Sequence, residues 1–201
     1  MARRSVEVRR EEILAATVVE VQRSGLAQTR VADVAAALGI SPALVFYHFE
    51  TKDRLLAEAF AYAAERDLVR LDKVVQGPGT ATQRLRAVLK LYSPSGSTPP
   101  GWTLWVDAWA AALRSPELRT VSRKLDLRWK ETVAGVIEDG VATGEFTCAD
   151  PQGAAWRITA LIDGLAIQVT VHRGVLTRGQ MSGWVAQLAE CELGLAAGTL
   201  G

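Results

Sequence analysis

The sequence predicts an all-α protein of about nine helices, and three observations carry that prediction. Apolar residues recur at the three-to-four spacing of one helix face along nearly the whole chain. No segment sustains the alternation of a half-buried strand. Glycine, proline and capping residues punctuate the chain at helix-length intervals. Composition agrees: 201 residues, 49% hydrophobic and 22% charged with a net charge of +1, suit one compact unit or two small ones and exclude a chain dominated by disorder. Two cysteines, Cys148 and Cys191, are too few to staple a fold of this size. No run approaches the roughly 18 uninterrupted apolar residues of a membrane span. Met1-Ala2-Arg3-Arg4-Ser5 leads into a charged stretch, so no secretory signal is expected; a cytoplasmic protein with no membrane partner is.

The first helix is set by Ile13, Leu14, Thr17, Val18 and Val21, and Gly25 closes it in the position of a left-handed cap. Thr29 is read as the cap of the second, which turns Val31, Val34, Ala35 and Leu38 inward and ends at Gly39. Ser41-Pro42 opens a third, very short helix, because proline has no amide to waste in a first turn. Thr51 restarts helix, and Leu55, Leu56, Ala59, Phe60 and Ala63 continue it to about Gln76. Gly77-Pro78-Gly79 is the first hard break. Beyond it the pattern predicts a helix around Gln83 to Tyr92, a long proline- and serine-rich loop from Ser93 to Gly101, and helices at Trp102 to Leu113, Pro116 to about Thr143, Pro151 to Arg173 and Arg178 to about Ala196. Asp150-Pro151 opens one of these by the cap-then-proline rule, and Gly174 closes it.

The bulk charge argues for no partner, but Arg3, Arg4, Arg9 and Arg10 against Glu7 make a basic N-terminus, which is either a nucleic-acid contact or a solvated end. Three short helices with a tight Gly39-Ile40-Ser41 turn suggest a helix-turn-helix. Ile40 plugs the angle, Ala35 lets the axes cross closely, and the third helix offers Ser41, Ala43, Leu44, Tyr47 and His48 outward. A plain αα-corner in a helical core fits the same spacing. Phe46 and Phe49 read as core.

Gly25-Leu26, Val34-Ala35, Leu38-Gly39-Ile40-Ser41-Pro42, Leu44 through Phe49, then Lys52 and Leu55-Leu56 closely resemble the DNA-binding region of TetR-type transcriptional regulators, over about residues 9 to 57. The resemblance implies a homodimer on a double-stranded DNA operator, a small-molecule effector that releases it, and no catalysis or cofactor. It implies DNA contacts from Tyr47, His48 and Lys52; a lysine at a helix N-terminus also adds to the dipole and free amides that favour an anion there. Arg30 stands where the family often has a small hydroxyl residue, and is either a phosphate contact or a solvated surface arginine. Ala43, Leu44 and Val45 could meet thymine methyls and discriminate poorly. The implied division is a helix-turn-helix domain at 1–52, a connecting helix at 53–76, and a ligand-binding and dimerisation domain at 77–201.

All six tryptophans follow residue 100. Trp102, Trp105 and Trp109 share one helix face and, with Trp129, either line a ligand pocket or pack between helices. Trp105 to Leu113, Gly144-Glu145-Phe146 with Asp150-Pro151, and Leu161 to Leu165 resemble the choline-sensing (Bet) subfamily. That resemblance suggests a quaternary amine held by tryptophans with Asp107 or Asp163 as counter-charge. Asp163 interrupts an apolar helix and needs a partner if buried: a ligand, an interface, or Arg157 or Arg173. Small residues at Ala154, Ala155, Ala160, Gly164, Ala166, Ala186 and Ala189 permit close packing of the last two helices, within one subunit or in a four-helix bundle with a symmetry mate. The candidate dimer contacts are Ala160, Gly164, Ile167, Trp184 and Leu188. The rival class is an all-α small-molecule-binding enzyme, or a bundle without DNA binding. No phosphate-loop or nucleophile-elbow motif supports it, His48 and His172 lie far apart, and the two cysteines lack metal-ligand spacing.

Overall fold

A computed structural model of the chain describes residues 6–94 and 100–201. Arg3 and Arg4 of the basic N-terminus, and 95–99 of the predicted Ser93 to Gly101 loop, lie outside the described residues. Among the described residues there are nine helices and no strand: α1 (Val6–Ser24), α2 (Val31–Leu38), α3 (Pro42–Phe49), α4 (Lys52–Val75), α5 (Ala81–Tyr92), α6 (Pro100–Ala112), α7 (Pro116–Ala142), α8 (Pro151–Thr170) and α9 (Arg178–Leu193). They form two units: the chain up to Asp67 with Thr103–Leu125, and Leu68–Trp102 with Asp126–Gly201. No single helix is long and apolar enough to cross a membrane.

In the first unit, Ile13 and Leu14 of α1, Val31, Val34 and Ala35 of α2, Val45 and Phe49 of α3, and Leu55 and Ala59 of α4 form one buried cluster, with Leu38 and Ile40 packed against it. Gly25 and Gly39 both adopt left-handed backbone, at φ +83° and +64°, which glycine enters without the clash a Cβ would bring. The second of these turns the chain by 111° between α2 and α3, within the range of a helix-turn-helix. Thr29 does not cap α2. That position belongs to Arg30, whose side chain makes no capping bond, while the buried Thr29 hydroxyl donates back to the Gly25 carbonyl at 2.8 Å. The same carbonyl, just past the end of α1, also accepts from Thr29 N at 3.1 Å, so the α1–α2 turn was the nearer partner.

In the second unit, Thr80 and Gln83 form a reciprocal capping box that starts α5 two residues earlier than periodicity suggests. Thr177 and Gln180 do the same for α9, which Gly194 ends at φ +64°. Asp150 caps α8, with Pro151 in its first turn. The Glu145 carboxylate accepts from Ala81 N at 2.8 Å, Thr82 N at 3.0 Å and Thr82 Oγ1 at 2.9 Å. These backbone amides of Thr82 and Ala81 hold Glu145 down to a pKa of about 2. Ala154, Ala155 and Ala166 of α8 and Ala186 and Ala189 of α9 are buried within the chain, and α8 packs against α9 within one subunit.

Candidate functional site

The α3 rim is built from local rules. Ser41 Oγ accepts from Leu44 N at 3.3 Å, and Pro42 occupies the first helical position. Val45 and Phe49 alone of this helix are buried; that leaves Ala43, Phe46 and Tyr47 exposed, and Leu44 and His48 half-buried. Tyr47 is 74% exposed and Phe46 43%. The expectation of Phe46 as core is thus corrected: with Val45 pointing inward, its neighbour turns about 100° away from the cluster. Tyr47 and His48 meet edge to face at 5.3 Å between centroids.

Between α3 and α4, Glu50 takes φ +62°, ψ −51°, and Thr51 N donates to the Phe49 carbonyl at 2.6 Å. This is a γ-turn on a non-glycine residue, a strained conformation that joins α3, ending at Phe49, to α4, starting at Lys52, through two residues. Thr51 Oγ1 accepts from Arg54 N at 3.1 Å, opening α4. Lys52 Nζ donates to the Ala27 carbonyl at 3.4 Å, so Lys52 lies beside the α1–α2 turn, and Arg30 is exposed at the start of α2. Of the basic N-terminus, Arg9 pairs with Glu12 at 2.9 Å. Arg10 pairs with Glu58 and lies over the Phe49 ring, 4.7 Å from its centroid. Burial, then the charges of Arg10 and Arg9, keep the His48 imidazole below its ordinary range; a neutral ring is the outcome near pH 7.

The tryptophan stripe of α6 divides. In the first unit Trp105 packs edge to face on Phe60 at 4.9 Å and beside Trp109 at 5.9 Å. Asp107, between them, accepts from Leu26 N at 3.1 Å and so ties α6 to the α1–α2 turn. In the second unit Trp102 donates from Nε1 to the Tyr92 carbonyl at 2.9 Å, and Tyr92 meets Trp129 edge to face at 4.7 Å. The Tyr92 hydroxyl donates to Asp163 Oδ1 at 3.0 Å. Lys130, 5% exposed in its side chain, reaches Asp126 Oδ1 at 2.5 Å and Asp163 Oδ2 at 3.7 Å. Its ammonium also lies 4.9 Å from the Trp156 ring centroid. Burial pushes the Asp163 carboxyl up to about 6 against the opposing pull of Lys130 and Tyr92, and the Tyr92 phenol is raised well above its usual range, first by burial and then by the Asp163 charge.

Within the chain Asp163 therefore pairs with Lys130 and Tyr92 rather than with either arginine the sequence offered. Arg157 pairs instead with Glu192 at 2.6 Å and Asp150 at 3.4 Å. Tyr92, Asp126 and Lys130 were missed; the one available signal was the i, i+4 spacing of Asp126 and Lys130 around Trp129. On α8 and α9, Ala160, Gly164 and Trp184 are exposed and Ile167 and Leu188 half-buried, unlike the buried alanines of the same helices.

Three comparisons bear on identity. Residues 13–59 match the model of the N-terminal region of bacterial regulatory proteins of the tetR family, and residues 81–194 match the BetI-type transcriptional repressor C-terminal model. Among curated relatives, the HTH-type transcriptional regulator BetI of Paraburkholderia xenovorans is 30% identical over 79% of this chain and 80% of its own length, and that of Stenotrophomonas maltophilia is 29% identical over 90% and 89%. Among solved structures, a transcriptional regulator from Saccharomonospora viridis in complex with choline superimposes with a TM-score of 0.84 at 28% identity, covering 93% of this chain and 98% of that one. With the helix-turn-helix geometry and these matches together, the chain belongs to the TetR family: it is a ligand-responsive transcriptional repressor whose C-terminal part is of the BetI type.

Proposed function

We propose that the chain acts in the cytoplasm as a homodimer whose two α3 helices enter successive major grooves of a double-stranded operator, about 34–36 Å apart, and that an effector bound in the second unit releases it. The observation that carries this reading is the α3 rim, where Ala43, Leu44, Tyr47 and His48 stand outward while Val45 and Phe49 anchor the helix from behind. Tyr47, His48, Lys52, Arg30 and Ser41 serve phosphate and base edges; Ala43 and Leu44 offer apolar contact. The functional division is reading head 1–52, connecting helix 53–76, and ligand-binding and dimerisation region 77–201. The dimer forms through the outer faces of α8 and α9, with Ala160 and Gly164 admitting close approach and Ile167, Trp184 and Leu188 supplying apolar area.

The effector is a choline-type organic ammonium. Three things support this: the aromatic residues Trp102 and Trp129 packed on Tyr92, whose hydroxyl donates to a half-buried carboxylate, Asp163; the known attraction of aromatic faces for such cations; and the choline complex of the Saccharomonospora viridis relative. Trp105 and Trp109 serve the α6 contact with α4 rather than the cation itself. Its binding shifts α4 and α6, and a coupling of about 1–3 kcal/mol is enough to change operator affinity 5- to 150-fold. A mobility-shift titration on the DNA upstream of the protein's own gene tests the whole reading. Binding should weaken steeply as salt rises and weaken again when choline is added; salt-independent binding, or none, overturns it.

A further inference from the structure

The cluster around Asp163 already holds a cation, and that cation belongs to the protein. Lys130 Nζ sits 2.5 Å from Asp126, 3.7 Å from Asp163 and 4.9 Å from the Trp156 ring centroid. Two acids and an indole face are what an organic ammonium group needs when it leaves water. The other oxygen of Asp163 faces the second aromatic group, through Tyr92 at 3.0 Å. Asp163 thus stands between two aromatic groups: Trp156 with Lys130 on one side, and Tyr92, with Trp102 and Trp129 packed on it, on the other. Two carboxylates against one ammonium leave a single negative charge for a ligand to neutralise. On the same side of α8, two helical repeats of i+7 after Trp156 and one after Asp163, Thr170 Oγ1 is buried with no hydrogen-bond partner among the described residues. A buried hydroxyl without a partner is a position where a bound polar group would be stabilised.

We propose that Lys130 sets the charge specificity of the effector site: seated between Asp126, Asp163 and Trp156, it restricts the site to a monovalent organic ammonium, and with that seat vacated the site takes a diammonium whose second end replaces the lysine. This rests on the reading of Asp163 as the effector's counter-charge given above. Lys130 acts by its charge and by the seat it fills, and need not touch the effector.

The test is calorimetric titration of the full-length protein with choline and with 1,4-diaminobutane, in the wild type, Lys130→Ala and Asp126→Asn, with thermal melts to verify folding. The wild type should bind choline roughly tenfold more tightly than the diamine, and Lys130→Ala should reverse that order. Asp126→Asn, which leaves Lys130 facing a single acid, should lose roughly tenfold in choline affinity. A folded Lys130→Ala that keeps the wild-type order overturns the proposal. If Lys130→Ala does not fold, unchanged choline affinity in Asp126→Asn overturns it instead. A wild type that binds neither cation, with Lys130→Ala gaining the diamine, upholds the seat and sinks the choline reading. No binding by any variant sinks both.

Discussion

In the first unit Asp107 gives its carboxylate to a backbone amide, Leu26 N at 3.1 Å, whereas in the second Asp163 shares its carboxylate between two side chains, Tyr92 at 3.0 Å and Lys130 at 3.7 Å. Each is an acid on a helix rich in apolar residues. A backbone partner cannot turn away without moving the chain, so Asp107 works as a tie between α6 and the α1–α2 turn. Side-chain partners can rotate and exchange, so Asp163 can accept a new one without refolding. The same contrast extends outward. The groups proposed to face DNA are mostly exposed and stand on an apolar support, while those proposed to face the effector are largely buried and are supported by one another. Recognition of a large, flat, charged partner calls for the first arrangement, and selective capture of a small cation for the second.

The largest expected effect comes from removing the support under the first arrangement. Phe49 is fully buried in the helix-turn-helix cluster and carries Arg10 over its ring. Phe49→Ala should cost about 3–5 kcal/mol of stability, read by denaturant titration, and should abolish operator binding by misplacing α3. Retained operator affinity in this variant would show that the rim does not depend on its core.

Next come the exposed groups themselves. Tyr47→Ala and Lys52→Ala should leave melting temperature and dimerisation unchanged and weaken operator binding by roughly 1–3 kcal/mol for a base-edge contact, or somewhat less for a phosphate contact. Lys52→Ala should also reduce the slope of log affinity against log salt by about 1. The pair sharpens the comparison because stability and affinity separate here, which they cannot do in Phe49→Ala. A salt slope unchanged in Lys52→Ala would remove that residue from the phosphate contacts.

A smaller effect is expected at the tie. Asp107→Asn exchanges a carboxylate for an amide oxygen that can still accept from Leu26 N, so the loss should be about 1 kcal/mol or less in stability. If α6 relays effector binding through this bond, the variant should bind choline normally and release operator less completely, in a mobility-shift titration with saturating choline. Full release would leave α4 as the relay.

How far the molecule was legible in its sequence follows the same divide. Ser41-Pro42, Gly39 and Asp150-Pro151 were readable because a cap and the amide it satisfies lie within four residues of each other, and the α3 rim followed from them. Thr29 shows the limit of that method: capping chemistry was present, but the hydroxyl met a nearer carbonyl at the end of α1. The Asp163 site was half visible, since an acid in an apolar helix announces a need without naming who meets it. Its donor Tyr92 lies 71 residues away, and the Asp107–Leu26 bond spans 81. Periodicity carries no information over such separations. The tryptophan stripe left pocket and packing open for a related reason: shared face along a helix is a local property, while the packing of Trp102 on Tyr92 and of Trp105 on Phe60 is decided by other elements.

The finest discrimination is by pH, because two carboxylates of the second unit are shifted in opposite directions. Burial raises Asp163 from 3.8 to about 6. Between those values the folded chain holds a proton that the unfolded chain has released, so this group's contribution to stability falls as pH rises through the window and is level above it. Glu145 is held at about 2 rather than 4.5 by the backbone amides of Thr82 and Ala81. Its contribution is fully present above pH 4.5 and is lost as pH falls toward about 2. Thermal melts between about pH 2 and pH 8 should therefore show an acid limb that flattens in Glu145→Gln and a shallow decline toward pH 6 that flattens in Asp163→Asn. Choline affinity should rise over the same window in the wild type, since a cation binds the ionised carboxylate and its binding releases the proton. Affinity constant from below pH 5 to above pH 7 would mean that the ligand's charge is met elsewhere, and that Asp163, like Asp107, belongs to the protein's own packing.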